Sequence, residues 1–585
     1  MSELPLYLGD GDERMFAVYH SAGGRGCAVL LCPPFGWDDI CSYRSRRVWA
    51  ERLAADGHPT LRFDLPATGD SAGSGEEGGH VDAWVDAVAA AADWLRSVSG
   101  RRRTTAVGIG LGGLLALRAA AAADAPIDDL VLWGVPADGR RLLRELRAFA
   151  RIEADSFVAL GAPPAPPGEP LAPGGFVLGE RVQAELDSLD GAALLPPRRD
   201  GRRILVLGRD GVPPDAALIA QLERSAAVTT GRGSGYGAMT APPDLARPPV
   251  GTFAEVDAWL GDGDDGEVVQ GVAPPNGSTL ELEVDGARIS ETPLRLAAGE
   301  QQLFAVLGEP VSAARSELAL VLLNAGAIRR IGPNRMWVDI ARRWTARGVT
   351  TLRLDVEGIG DATGDGQRYT DVSELYVPSF VEQVQLALDA LADRCDSERF
   401  VLLGLCSGAF WGFHTALADT RVSAAIMLNP RVLHWHPRLD ASRDARKLGQ
   451  RVHTLRFWQR DVRHAQTYVL RLLPFARWLL WCALKPFDRP VAKALAQIVR
   501  SFDSLRENGQ TATLIFCDGE PLRDELAGGG LLTADSRWPN LAVELLPGRD
   551  HTFRPPWMHR YVHEAVDRAL EQELARTAER TVVAS

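Results

Sequence analysis

Residues 3–18, ELPLYLGDGDERMFAV, align without a gap with residues 291–306, ETPLRLAAGEQQLFAV, at an offset of 288. The identities include Glu3/Glu291, Pro5/Pro293, Leu6/Leu294, Gly11/Gly299 and Phe16/Phe304. Further on, LRFDLPATGDSAG (61–73) matches LRLDVEGIGDATG (352–364) at offset 291, and GIGLGG (108–113) matches GLCSGA (404–409) at offset 296. A slowly drifting offset of this size means a domain-sized unit that occurs twice with short loop insertions. A chain of 585 residues is long enough to hold two such cores. Between the copies, GDGDDGEVVQGVAPPNGS (261–278) has the Gly, Asp and Pro content of a linker. The expected organisation is a first unit over 1–260, a linker over 261–278, a second unit over 279–575 and a polar tail over 576–585.

Within each copy, apolar β-branched runs alternate with alanine-rich stretches. In the first these are CAVLLC, VWAERLAADG, TLRFDL, VDAVAAAADWLRS, TTAVGIG, LLALRAAAAA and LVLWG. That alternation predicts α/β domains, each with a mostly parallel central sheet flanked by helices. A net charge of −12 excludes nucleic acid as the main partner, because phosphate contact needs an excess of Lys and Arg. Seven cysteines with no CxxC pair fit neither a disulfide framework nor a zinc site, so no metal or other cofactor is expected. The first residues lack a basic stretch followed by an apolar core, which reads as a cytoplasmic protein. The most apolar segment, 468–487, is broken by Arg471, Pro474 and Arg477 and is too short to span a bilayer.

GLCSGA follows the apolar run FVLL and precedes FWGFHTALA, so it lies between a predicted strand and a predicted helix. In a strand, sharp turn, helix unit of the form G-x-Nuc-x-G, the central side chain is pushed out at the top of the sheet, and glycines flank it because a Cβ would clash. Cys406 is that central residue, and Ser407 would offer its backbone N–H to a developing oxyanion. Ser407 is the rival nucleophile, but it is one residue out of register. GIGLGG also satisfies G-x-G-x-x-G, yet a dinucleotide site would require it to follow the first strand, and several predicted strands precede it.

With VLLNAGAIRRIGPNRMW (321–337), LRLDVEGIGDATG and GLCSGA, the second copy resembles the α/β-hydrolase superfamily. More narrowly, it resembles the serine-aminopeptidase-like hydrolases encoded with bacterial exopolysaccharide and exosortase genes, with Cys in place of the nucleophilic Ser. The likeness covers most of 290–570, and a weaker one covers 1–260. It implies a triad in the chain order nucleophile, acid, histidine: Cys406, then Glu520 in CDGEPLRDEL with Asp518 and Asp524 as reserves, then His551 in RDHTF. It also implies a second oxyanion donor from the loop Asn324 to Ala327, at Gly326 or Ala327. A lid over about 429–503 would line the substrate pocket with Trp458, Phe475 and Trp478. Residues 441–500 hold 13 Lys or Arg against 3 Asp or Glu, a basic patch in an acidic chain. Such a patch suits an anionic acyl donor, an acyl carrier protein or coenzyme A, or an acidic membrane surface. His434 and His436 have no partner motif for a metal.

In the first copy Gly110 stands where Cys406 does, and its histidines, His20, His58 and His80, all precede the elbow. Gly235 or Tyr236 falls near the histidine position, Asp210 is a relic acid, and Cys32 reads as a packed thiol. The first copy is therefore expected to be non-catalytic. The expected function is acyl transfer through a Cys406 thioester, as a thioesterase or acyltransferase acting on a small-molecule acyl substrate. The alternatives are an esterase or peptidase-type hydrolase, and a non-catalytic binding protein.

Overall fold

The computed structural model describes residues 3–9, 11–24, 26–74, 80–122, 124–159, 161–189, 201–263, 270–274, 279–395, 397–435, 489–532 and 537–584. Eight strands of the first half form one sheet: β1 (Glu3–Leu8), β2 (Met15–His20), β3 (Ala28–Cys32), β4 (Thr60–Phe63), β5 (Thr104–Ile109), β6 (Asp129–Trp133), β7 (Arg203–Leu207) and β8 (Ala227–Gly231). Nine strands of the second half form another: β9 (Leu280–Val284), β10 (Ala287–Ala298), β11 (Gln301–Pro310), β12 (Leu318–Leu323), β13 (Thr350–Asp355), β14 (Arg399–Leu405), β15 (Val422–Leu428), β16 (Thr511–Cys517) and β17 (Leu541–Leu546).

The first sheet runs β1-β2-β4-β3-β5-β6-β7-β8, and the second runs β9-β10-β11-β13-β12-β14-β15-β16-β17. The order is the same in both once β9, an added edge strand, is set aside. Pairing is antiparallel among β1, β2 and β4 and parallel from there on, with the matching pattern in the second sheet. Central strands such as AVLLC and RFVLLGL are buried along their length, as expected when helices cover both faces. Both halves are α/β domains with a mostly parallel central sheet flanked by helices, as the sequence leads one to expect.

The halves meet through the segments that repeat. Arg62 of the first half donates to Asp361 of the second at 2.9 Å, and Arg353, the repeat counterpart of Arg62, donates to Asp70, the counterpart of Asp361. Phe16 packs edge-on against its own counterpart Phe304 at 6.2 Å between centroids. A contact in which residue i meets j while the equivalent of j meets the equivalent of i has two-fold character, as in an isologous dimer. Arg330 joins the network, donating to Asp355 at 2.7 Å and Asp361 at 2.8 Å, while Arg329 binds Asp64 at 2.9 Å. These groups are buried, so each charge needs its partner. Apolar residues from both sides, among them Tyr7, Phe16, Val18, Leu280, Ile289 and Phe304, form a single cluster around them. Ile40 of the first half belongs to the second half's core cluster, and Trp37 and Phe176 pack against that cluster.

Candidate active site

Cys406 stands between β14 and the helix Ser407–Ala418 with φ 57° and ψ −108°, a left-handed conformation that a side chain adopts only under constraint. The constraint comes from close backbone approach. A Cβ on Gly404 would come within 2.2 Å of the Gly408 backbone, and one on Gly408 within 2.3 Å of the Asn324 carbonyl oxygen. The turn is pinned by Cys406 N–H, which donates to Leu428 O at 3.0 Å. The thiol is thereby held at the start of a helix, where partial positive charge favours a thiolate.

Glu520 and His551 reach this point from the ends of β16 and β17. Glu520 stands at the N-cap of the helix Pro521–Gly528 and is buried. His551 Nδ1 lies 2.8 Å from Glu520 Oε1, and the imidazole stands close enough to the Cys406 sulfur for each to shift the other's acidity. Asn429 Nδ2 donates to the His551 carbonyl oxygen at 2.8 Å and fixes the loop from the neighbouring strand end. Burial pushes the Cys406 thiol up, but the His551 imidazole and the Tyr376 hydroxyl together pull it below its ordinary value. Burial pushes His551 down, and the Cys406 sulfur and Glu520 carboxylate reverse this and hold it well above the usual range. The pair therefore favours thiolate and imidazolium.

The other acids lie outside this chain of contacts. Asp518 is largely exposed and faces Arg523 at 3.7 Å, and Asp524 is exposed. Ser407 is fully buried, and its hydroxyl oxygen accepts the Gly326 N–H at 3.0 Å, a contact with the neighbouring loop and not with His551. Of the two loop residues expected as oxyanion donors, Gly326 already spends its N–H on the Ser407 hydroxyl. Ala327 lines a crevice with Cys41 and Tyr43 of the first half. Asn324 ties this loop to the end of β13, donating to Asp355 at 2.9 Å and accepting from Val356 N at 3.2 Å.

Tyr376, which the sequence reading missed, has its hydroxyl 3.6 Å from Cys406 Sγ. It is stacked on Trp435 at 4.5 Å and packed edge-on against Phe410 at 5.2 Å, so the hydroxyl is held where it is. No motif marks it, because it comes from the connection after β13. The lid residues Trp458, Phe475 and Trp478 and most of the basic stretch lie outside the described residues, as does His436. His434 bonds Ser501 at 3.0 Å, and no group of three metal-ligating side chains occurs among the described residues. No helix among them is long and apolar enough to cross a membrane.

The first half has an elbow at the same place. Gly110 takes φ 53° and ψ −118° between β5 and the helix Leu111–Ala120. Tyr236 occupies the histidine position, with its hydroxyl 3.6 Å from where a Gly110 Cβ would lie. Asp210 spends its carboxylate on the turn that carries Tyr236, accepting the Gly235 N–H and, at 2.6 Å, the Gly237 N–H. Cys32 is fully buried, and desolvation pushes its thiol far up.

The chain matches no family model and no curated protein. Among solved structures it is similar to a proline iminopeptidase from Mycobacterium smegmatis (17% identity over 49% of this chain and 100% of that one, TM-score 0.33). It is also similar to Est1E from Butyrivibrio proteoclasticus (14% identity, 44% and 98% covered, TM-score 0.30). A third is XC6422 from Xanthomonas campestris, described as an a/b serine hydrolase without lid (16% identity, 45% and 93% covered, TM-score 0.27).

Proposed function

We propose that this chain is an acyl-transfer enzyme that works through a thioester on Cys406. The observation that supports this is the contact chain from Glu520 through His551 to Cys406 at a constrained elbow, with electrostatics that favour a thiolate. In the first step the Cys406 thiolate attacks the acyl carbonyl carbon. The oxyanion is met by the Ser407 N–H at the helix start and by the Tyr376 hydroxyl beside the sulfur. On collapse the bond to the leaving group breaks, and the His551 imidazolium protonates the departing thiolate or alkoxide. In the second step neutral His551 takes the proton of the acceptor, water or another nucleophile, which attacks the thioester carbon. The Cys406 thiolate is released and the starting ion pair returns.

Glu520 orients the imidazole and stabilises its charged form without taking the proton. A thioester is open to amines, thiols and carbon nucleophiles as well as to water, which favours thioesterase or acyltransferase chemistry over ester or peptide hydrolysis. The basic stretch 441–500 would draw an anionic donor, an acyl chain on an acyl carrier protein or coenzyme A. The test is a kinetic panel of acyl thioesters and p-nitrophenyl esters of graded chain length with wild type, Cys406→Ser and His551→Ala. Turnover lost in both variants, with thioesters preferred, supports the reading. Turnover that survives Cys406→Ser and His551→Ala overturns it, and no turnover on any substrate leaves a binding protein.

A further inference from the structure

Arg554, three residues after His551, binds both halves of the molecule. Within its own loop, Nε donates to Asp550 Oδ2 at 3.1 Å, while Thr552 donates from its backbone and its hydroxyl to Asp550 Oδ1, each at 2.8 Å. The turn includes Phe553 at φ 55°, a strained conformation, so these polar contacts are what hold it closed around the histidine. On its other side, Arg554 Nη1 donates to Glu153 Oε1 at 3.0 Å, across 401 residues of sequence. The guanidinium also lies over the Trp37 and Phe157 rings, at 5.2 and 5.0 Å.

Glu153 is fixed in turn, because its Oε2 accepts the Gly174 N–H at 2.6 Å. The next residue, Gly175, passes so close to this loop that a Cβ there would come within 2.3 Å of the Arg554 carbonyl oxygen. That same oxygen accepts from Asn334 Nδ2 at 2.8 Å. Three segments of the first half therefore converge on one residue of the His551 loop. The segment carrying Glu153 is the helix Gly139–Ala159, which follows β6, the place where the second half has its own insertion after β15. Of that helix only Gly139, Leu142 and Leu143, all in its first two turns, are buried. Its later turns, with Glu153 and Phe157, reach Arg554.

We infer that Glu153 is a positioning residue for His551, acting through Arg554 and Asp550, so that the half without a nucleophile completes the reaction centre of the other. This rests on the reading of Cys406 and His551 as a thiolate–imidazolium pair. The imidazole has to face Glu520 on one side and Cys406 on the other, and a displacement of about 1 Å from a distant change can cost up to about 10²-fold in rate. Without Glu153, one edge of the guanidinium fork loses its carboxylate and only Asp550 remains to orient it.

The experiment measures the pH dependence of Cys406 alkylation by iodoacetamide, read by peptide mass on the full-length chain, together with the melting temperature. The variants are Glu153→Gln, Phe157→Leu and, as a control on the same helix, Glu145→Gln. Glu153→Gln is expected to move the midpoint upward by about half to one pH unit and to slow alkylation at neutral pH roughly three- to tenfold. Phe157→Leu should act in the same direction by less, and Glu145→Gln should follow wild type. A Glu153→Gln or Phe157→Leu profile that superimposes on wild type, with or without a lower melting temperature, assigns the contact to stability alone and overturns the proposal. A wild-type midpoint at the ordinary thiol value of about 8.5 would instead remove the ion pair itself, and the proposal with it.

Discussion

Gly110 and Cys406 hold nearly the same backbone conformation, φ 53°, ψ −118° and φ 57°, ψ −108°, although only one of them has a side chain to present. The elbow is thus a property of the strand and helix around it. Space also exists at Gly110, where a Cβ would meet only Tyr236 Oη at 3.6 Å and Pro34 Cβ at 3.8 Å. The Gly110→Cys variant is expected to fold at a cost of about 1–3 kcal/mol from the strained φ, measured by urea unfolding. Its new thiol should titrate at or above about 8.5, because buried Asp38, and among the described residues no histidine, stands beside Tyr236. A second low-pH thiol in the alkylation profile would contradict this.

Asp518, Glu520 and Asp524 follow β16 closely in sequence, with Asp524 inside the helix Pro521–Gly528, but of the three only Glu520 touches the imidazole. Glu520→Gln should lower kcat about 10²- to 10⁴-fold with little change in KM. Asp518→Asn and Asp524→Asn should stay within about twofold of wild type. Equal losses in all three would mean that the acid acts through the combined field of the three carboxylates.

The Tyr376 hydroxyl lies 3.6 Å from Cys406 Sγ, and a hydrogen bond donated from there to a thiolate is of a class worth about 1.5–3 kcal/mol. Tyr376→Phe should therefore raise the midpoint of Cys406 alkylation by about one pH unit and slow acylation more than it weakens substrate binding. The wild-type thiol is expected to react below its ordinary midpoint, because a group whose charged form is stabilised deprotonates earlier as pH rises. His551→Ala removes the larger stabilising group and should move the midpoint further upward than Tyr376→Phe.

Asp361 accepts from Arg62, Arg330 and Tyr43 in the buried seam between the halves. Burial pushes this carboxyl up, and Arg62 and Arg330 together hold it well below the usual range. Asp361→Asn leaves both guanidinium groups short of a charge and should cost about 3–5 kcal/mol in chemical unfolding. Because its carboxyl is lowered in the folded state, the stability it contributes is present above the unfolded value of about 3.9 and is lost as pH falls below it. The gap between wild type and Asp361→Asn should therefore narrow on acidification from pH 5 to pH 3.

Much of this molecule was legible in its sequence because the signals are local. Alternating strands and helices, the glycines around Cys406 and the order of Cys406, Glu520 and His551 each depend on a short stretch of chain. The contacts that join the halves depend on long-range placement. Arg62 and Asp70 recur as Arg353 and Asp361 inside LRFDLPATGD and LRLDVEGIGD, and a charge in mid-strand at the same offset hints at burial, but nothing in a single sequence says that the pairs cross. Tyr376 and Glu153 lie in segments without a motif, and their roles follow only from where β13 and β6 release the chain. That the Gly326 amide meets the Ser407 hydroxyl also depends on the packing of two loops far apart in sequence.

The most direct test is rapid acid quench of the wild-type chain with an acyl thioester, followed by intact-mass and peptide mapping. The account predicts a mass increase of one acyl group, located on Cys406 and missing in Cys406→Ala. Product formed without any adduct, or an adduct that persists in Cys406→Ala, would contradict it.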